Sequence, residues 1–153
     1  MALTRQALTK QDIFDHVARH LIEQGEKSQE EYCCMYRGPR GLKCAVGSLI
    51  RDGDYKPYFE DKVFREDLPQ KGSPQWEILA AVENFVGRKL TIEDRVLISD
   101  LQRLHDLQPP RYWPRELRQL AEIHGLEVPY FLLEALLDDM AHEHWTRIPG
   151  EDT

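Results

Sequence analysis

Apolar residues recur every three or four positions in five stretches of the chain, and this spacing predicts amphipathic helices. Capping residues or a first-turn proline mark the helix starts, as at Thr9 and Ser73. Glycine marks several helix ends, as at Gly25. The predicted helices span residues 10–24, 74–86, 92–107, 114–124 and 129–145. The sequence therefore predicts a mainly α fold, a compact helical domain of about five helices.

The segment between the first two helices has a different pattern, in which short apolar runs flank a turn. Glycine and proline at residues 38–41 are typical of a tight turn. The arm before this turn suits a short strand, so we expect a small β-hairpin or short strand element near residues 32–46. Small residues dominate the arm after the turn. We interpret residues 44–50 as a short buried helix, with a continuous hairpin as the alternative.

Asp100 is the unusual polar residue of the predicted helix at residues 92–107. On a continuous helix it falls near the middle of the predicted apolar face, where a lone carboxylate is unfavourable. That face comprises Ile92, Val96, Leu97, Leu104 and Leu107. Ser99 and the residues after it repeat the pattern of an N-terminal capping box. A helix break at Ser99 would make Asp100 a first-turn acid. We favour this break slightly over a buried functional carboxylate.

Length, charge and cysteine content set the general class of the protein. A chain of 153 residues predicts a single globular domain over residues 1–153, with flexible tails at 1–8 and 148–153. The net charge of −7 disfavours direct binding of nucleic acid, because an acidic surface repels phosphate. No apolar stretch is long enough to predict a membrane-spanning helix. Three cysteines without a secretory segment predict a cytoplasmic protein.

Two histidine pairs and three cysteines are the candidates for metal ligands in this sequence. His16 and His20 have the four-residue spacing by which two imidazoles share a metal, but both are predicted on the water-facing side without a third ligand. His142 and His144 diverge on a helix. The cysteines lack the spacing of a zinc site and are interpreted as free thiols: Cys33, Cys34 and Cys44. We therefore expect no metal, no cofactor and no catalytic residue.

Polar and aromatic residues in several segments are candidates for contact with a partner or ligand. Aromatic residues lie in the long irregular segment at residues 51–72, a kind of loop that often binds. Basic residues lie around the turn at residues 38–41, and titratable groups lie late in the helix at residues 92–107. The candidate partner- or ligand-binding residues are Tyr36, Arg37, Lys43, Tyr55, Tyr58, Asp100, His105 and Asp106.

The run from Cys34 to Ile50 reads C-M-Y-R-G-P-R-G-L-K-C-A-V-G-S-L-I. It resembles a signature of small uncharacterised bacterial and bacteriophage proteins, which carry C-x-Y-R, a glycine turn and K-C-A-V-G-x-L-I. Residues 54–60 and 101–106 are similar to other stretches of that group. The chain departs from the pattern at Ser48, where cysteine is common, and at Asp61, where glycine is expected. The resemblance implies a bacterial or phage setting, hence the host cytoplasm if phage-encoded, and no particular activity.

Two functions are compatible with these observations. The leading one is a non-enzymatic phage or bacterial accessory protein that binds a host protein or protein complex, for example to inhibit a host defence complex. The alternative is a small-molecule-binding domain or enzyme with a site around Cys44, Asp100 and His105. For Cys44 we favour a buried free thiol; the other interpretation is a nucleophile at the start of a short helix, with His105 as its base. The last helix carries one apolar stripe, which either completes the core or pairs with a second copy in a homodimer. Its residues are Leu133, Leu136, Leu137, Met140, Ala141 and His144.

Overall fold

The fold is seen in a computed structural model that describes residues 6–146, with side chains described through residue 141. The helices of this part are α1 (Lys10–Gln24), α2 (Pro74–Val86), α3 (Ile92–Leu107), α4 (Trp113–Ile123) and α5 (Tyr130–Thr146). Two short strands, β1 (Gln29–Glu30) and β2 (Cys33–Cys34), form an antiparallel hairpin. The predicted mainly α fold with about five helices and a small β element is confirmed.

The helices begin where the sequence supplies caps. Thr9 Oγ1 accepts the backbone N–H of Asp12 at 3.1 Å, and the Asp12 carboxylate accepts the N–H of Thr9 at 2.9 Å. Thr91 and Asp94 make the same reciprocal pair at the start of α3. Gly25 ends α1 with a φ of +66°, a left-handed conformation that glycine adopts without a Cβ clash. The predicted starts of α1 and α3 are therefore confirmed.

The apolar face of α1 lies at the centre of the hydrophobic core. Its core side chains are completely buried: Ile13, Phe14, Val17, Ala18 and Leu21. This face contacts α3, α4 and α5, while α4 also packs on both α3 and α5. Helix α2 lies against the short 3-10 turns at residues 47–49 and 57–59. Helix α1 is therefore the common support for the three helices of the C-terminal half.

The β-hairpin lies earlier in the chain than its predicted centre. Gln29 pairs with Cys34, and Glu30 pairs with Cys33, around a two-residue turn. The predicted second arm does not pair as a strand. Residues 44–50 instead form a buried turn that ends in a 3-10 helix, Gly47–Leu49. The interpretation as a short buried helix is confirmed in shortened form, and the alternative of a continuous hairpin through residue 46 is wrong.

Helix α3 is unbroken from Ile92 to Leu107, so the expected break at Ser99 is wrong. The face that enters the core also differs from the predicted one. Ile92 is 51% exposed and Leu107 is 68% exposed, whereas the buried apolar residues are Leu97, Ile98, Leu101 and Leu104. Because the helix is rotated in this way, Asp100 lies at the border of the core and not at its middle.

The described chain is anchored before α1. The backbone N–H of Leu8 donates to the carbonyl of Val86 at 2.9 Å, and Arg88 Nε donates to the carbonyl of Leu8 at 2.8 Å. The prediction of a flexible tail at residues 1–8 is therefore wrong at Leu8, because a backbone hydrogen bond holds this residue to the end of α2. The other parts of the tail predictions, residues 1–5 and 148–153, lie outside the described residues. Among the described residues, no helix is long and apolar enough to cross a membrane.

Candidate functional site

The guanidinium of Arg37 lies inside the fold and donates hydrogen bonds to backbone carbonyls. Its donors reach the carbonyl of Gly47 at 2.8 Å, that of Ile50 at 2.7 Å and that of Tyr36 at 3.2 Å. A further bond of 3.2 Å goes to the carboxylate of Asp52. The planar fork of arginine suits several acceptors at fixed positions. Arg37 therefore fixes the turn at residues 47–50, and both terminal nitrogens of its guanidinium donate to acceptors within the protein.

Glu60 completes this arrangement, which we call the Arg37 cluster: Tyr36, Arg37, Tyr55 and Glu60. The Glu60 carboxylate accepts the backbone N–H groups of Tyr36 at 2.9 Å and Arg37 at 3.2 Å, and the hydroxyl of Tyr55 at 2.6 Å. The Arg37 guanidinium lies 5.0 Å from the centre of the Tyr55 ring. Burial, with the Glu60 carboxylate, raises the pKa of Tyr55 to about 12. The cluster therefore joins residues 36–37 to residues 55–60.

Two glycines of the signature at residues 34–50, Gly38 and Gly47, are explained by close packing. A Cβ at Gly47 would lie 2.3 Å from the carbonyl oxygen of Tyr36, and a Cβ at Gly38 would lie 2.5 Å from Ser28 Oγ. Both approaches are too close for any side chain. The Tyr36 side chain is buried, and its hydroxyl donates to the carbonyl of Lys62. Residues 34–50 are thus constrained by internal packing.

A second group, the His105 cluster, comprises Ser28, Cys34, Gln102, His105 and Asp106. His105 is completely buried, and its Nε2 accepts the backbone N–H of Ser28 at 2.9 Å. Because a backbone amide can only donate, the ring proton must lie on Nδ1, which donates to Asp106 Oδ1 at 2.8 Å. This arrangement fixes one neutral tautomer of His105 and links the loop after α1 to the end of α3.

The carboxylate of Asp106 accepts hydrogen bonds from several side chains. Gln102 Nε2 donates to its carboxylate at 2.8 Å, and the thiol of Cys34 also bonds to it. Burial raises the pKa of Asp106, but the hydrogen bonds from His105 and Cys34 outweigh this effect and hold the pKa below its usual value. Burial, with the hydrogen bond to Asp106, raises the pKa of Cys34 to about 12. Cys34 is therefore held as a neutral thiol beside an ionised carboxylate.

The ligand atoms of Cys34, His105 and Asp106 lie within 4.8 Å of one another, a donor set that suits zinc. The tautomer of His105 disfavours this use. A metal on Nδ1 would require the ring proton to move to Nε2, where it would face the N–H of Ser28. Nε2 itself is already an acceptor. The cluster is therefore better suited to its internal hydrogen bonds than to a metal ion.

Cys44 does not have the properties of a nucleophile. It is buried, its sulfur accepts the backbone N–H of Gly47 at 3.3 Å, and burial raises its pKa to about 12. Both ring nitrogens of His105 are engaged elsewhere, with Ser28 and Asp106. These contacts do not support the predicted pairing of Cys44 with His105 as its base.

The other candidate residues lie apart from these clusters. Asp100 accepts a 2.9 Å bond from His124 Nε2 at the end of α4, so it joins α3 to α4. Lys43 Nζ lies 3.6 Å from the carboxylate of Asp52, which also contacts Arg37. Tyr58 is half exposed and lines a groove of about 370 Å³. The structure thus brings Tyr36, Arg37 and Tyr55 together, joins His105 to Asp106, and leaves Asp100 and Tyr58 separate.

The histidine pair of α1 also has a local role. His16 Nε2 bonds to the carbonyl of Ser48 at 2.9 Å, and His20 Nε2 bonds to the carbonyl of Lys43 at 2.9 Å. The two rings hold the segment at residues 43–48 against α1. The side chains of His142 and His144 lie outside the described ones.

A groove of about 470 Å³ separates residues 61–70 from the first turns of α2. Its lining includes Phe64, Leu68 and Leu79, and none of the eight candidate residues. The candidate residues therefore do not converge on this groove.

The outer side of α5 carries a row of exposed apolar side chains, which we call the α5 seam. Tyr130 is 75% exposed, Leu133 45%, Leu137 64% and Met140 63%. Their spacing of three, four and three residues places them on one side of the helix, at the a and d positions of a heptad. The inner side of α5, which includes the buried Leu132, lies about 120° away around the helix axis. Of the predicted stripe, Leu133, Leu137 and Met140 face outward, whereas Leu136 packs against the core. Tyr130 was missed, although it lies seven residues before Leu137.

The chain was compared with protein-family models, curated proteins and solved structures, and none of them matches it.

Proposed function

We propose that this protein is not an enzyme and works by binding another protein through the α5 seam. The supporting observation is the exposure of four large apolar side chains in heptad register on a helix whose opposite side is already packed. Scattered exposed apolar residues are normal on a protein surface, but a continuous row is typical of an interaction site. Full burial of an exposed leucine or methionine side chain is favourable by about 1.5–3 kcal/mol. Each of these side chains is already partly buried, so covering it would contribute only part of that amount.

The hydrogen bonds of the polar candidate residues favour a protein-binding function over an enzyme or a small-molecule-binding domain. The donors and acceptors of the Arg37 and His105 clusters are engaged with backbone groups and with one another. Among the described residues, no buried side-chain nitrogen or oxygen lacks a hydrogen-bond partner. A ligand site usually offers convergent polar groups to its ligand. Here those groups stabilise the fold.

The proposed setting comes from the resemblance at residues 34–50, which points to a bacterial or phage accessory protein. We therefore propose a host protein or protein complex as the partner, and inhibition of a host defence complex is one form that such binding would take. The acidic net charge of −7 fits a protein partner better than nucleic acid.

The experiment that tests the proposal is native mass spectrometry of the tagged protein purified gently from a bacterial lysate. The informative variant is Leu137→Asp, and its matched control is Leu68→Asp. Leu68 is 63% exposed, as Leu137 is at 64%, but it lies in the loop at residues 61–70. We expect a defined complex with the native protein and with the Leu68 variant, and its loss with the Leu137 variant.

Two results would contradict the proposal. If the native protein is purified without any protein partner, the proposed binding function is contradicted. If the complex survives Leu137→Asp, the α5 seam is not the contact surface. Loss of the complex only in the Leu68 variant would move the contact to the groove at residues 61–79. Circular dichroism of both variants checks that they are folded, which we expect because both side chains are exposed.

A further inference from the structure

The α5 seam is bordered by acidic side chains. Glu134 follows Leu133 and Asp138 follows Leu137, so both carboxylates lie on the same side of the seam. Both are exposed, and neither forms an ion pair with any residue that the structure describes. The sequence has no lysine or arginine between Arg118 and Arg147. The seam is therefore an apolar row with two exposed carboxylates beside it. Elsewhere on α5, Arg19 stacks on Phe131 and Arg115 pairs with Asp139.

The spacing of the seam indicates the shape of what covers it. Residues at a and d positions form knobs that fit between the side chains of a second helix at a shallow crossing angle. From Tyr130 to Met140 the seam is about 15 Å long, which is close to three helical turns. A β-strand repeats its side chains every second residue and would not match this spacing. The seam is thus suited to a helix of comparable length.

The charge of the seam distinguishes between two kinds of helix. A second copy of α5 would bring another Glu134 and Asp138 to the interface, in a dimer of two chains that each carry a net charge of −7. Like charges beside a helix pair oppose association, whereas opposite charges at flanking e and g positions select the partner; Glu134 is at e, and Asp138 lies one position further out, at b. Lysine or arginine beside the apolar row of the incoming helix would pair with both carboxylates.

We infer that the partner docks on the α5 seam with an amphipathic helix that carries basic residues beside its apolar row, and that this helix belongs to a different protein. This inference rests on the proposed function and adds the chemistry of the partner to it. Leu133, Leu137 and Met140 supply the apolar contact, and Glu134 with Asp138 supplies the preference for a basic helix.

The test uses two synthetic helical peptides of three heptads, each with leucine at the a and d positions. One carries lysine at the e and g positions, and the other carries glutamate there. Like charges at these positions prevent each peptide from pairing with itself. Fluorescence anisotropy should show that the lysine peptide binds the protein about tenfold or more tightly than the glutamate peptide, with a preference that weakens as salt is added. Leu137→Asp should abolish binding.

A charge-matched pair of variants separates the seam from net charge. The double variant Glu134→Lys/Asp138→Lys should reverse the peptide preference. The control Glu66→Lys/Asp67→Lys changes the net charge equally at exposed positions away from α5 and should retain it. If both double variants alter binding to the same degree, the preference reflects net charge alone and the inference is overturned.

Two further outcomes separate this inference from the proposed function. If the protein sediments as a dimer that Leu137→Asp dissociates, a second copy covers the seam and the inferred foreign helix is wrong. If the complex purified from the lysate depends on Leu137 but neither peptide binds, the proposed function is supported and the inferred chemistry of the partner is wrong. Binding of the lysine peptide to a monomeric protein, with reversal by the α5 charge variant, supports the inference.

Discussion

Nε2 of His105 accepts the backbone N–H of Ser28 at 2.9 Å, although the two residues are 77 positions apart in the sequence. This bond determines the tautomer of the ring and directs the Nδ1 proton to Asp106 at 2.8 Å. Trp113 stacks on the same ring with 5.6 Å between the ring centres. One buried imidazole thus connects the loop after α1, the end of α3 and the start of α4.

His105→Leu should destabilise the protein by about 2–4 kcal/mol, because it leaves the buried N–H of Ser28 without an acceptor and removes a donor from Asp106. The measurement is the free energy of unfolding from urea titration. His16→Leu is the matched control, since His16 is exposed and makes one bond to a carbonyl, and it should cost less than about 1 kcal/mol. Equal losses in the two variants would refute the role given to the His105 cluster.

The pKa of Asp106 predicts a pH dependence of stability. Because the pKa of Asp106 is lowered in the folded protein, its carboxylate takes up a proton more readily in the unfolded chain. In the unfolded chain an aspartate has a pKa of about 3.9. The stabilisation is complete above that pH and is lost as the pH falls toward the lower folded pKa. The difference in unfolding free energy between the native protein and Asp106→Asn should therefore shrink on acidification. A difference that stays constant down to about pH 3 would contradict this assignment.

Arg37→Lys should destabilise the protein by about 1–3 kcal/mol, because a lysine cannot reach the carbonyls of both Gly47 and Ile50. The same change at Arg40 provides the control. Arg40 is largely exposed and makes a surface ion pair of 2.8 Å with Glu26, so its replacement should cost less than about 0.5 kcal/mol. Thermal unfolding of both variants measures the contrast. A neutral effect at Arg37 would show that the turn at residues 47–50 does not depend on its guanidinium.

The three cysteines should differ in their reaction with DTNB at pH 8. The pKa values of Cys34 and Cys44 are raised to about 12, chiefly by burial, so almost none of either thiol is ionised at that pH. Cys33 is exposed. We expect one fast-reacting thiol in the native protein, its loss in Cys33→Ser, and reaction of all three after unfolding in guanidinium. Fast labelling of Cys44 would instead revive its interpretation as a nucleophile.

The helices were predictable because their signals are local. A capping threonine and the aspartate three residues later mark the start of α1 and of α3, and Ser73 accepts the N–H of Trp76 as the cap of α2. The predicted helix break at Ser99 was wrong because serine and aspartate inside a helix have the same sequence pattern as an N-terminal cap. The buried face of α3 was misassigned since Arg95 and His105 lie on it.

The position of the hairpin was not predictable from the usual turn signal. Its turn residues, Glu31 and Tyr32, adopt φ values of +49° and +69°, a conformation that Asn-Gly would favour. The pairing of Ser28 with His105 also has no local signal, because it joins distant segments. For α5, periodicity identifies apolar residues on more than one side but cannot tell which side meets the core.

Substitutions on the outer and the inner side of α5 should affect different properties of the protein. Under the proposed function, substitutions along Tyr130, Leu133, Leu137 and Met140 would alter what the helix binds, while Leu132 on the other side continues to hold it to the core. Partner specificity would then diverge among variants of this chain without loss of folding stability. The same separation makes α5 a site where a new binding preference can be engineered on an unchanged scaffold.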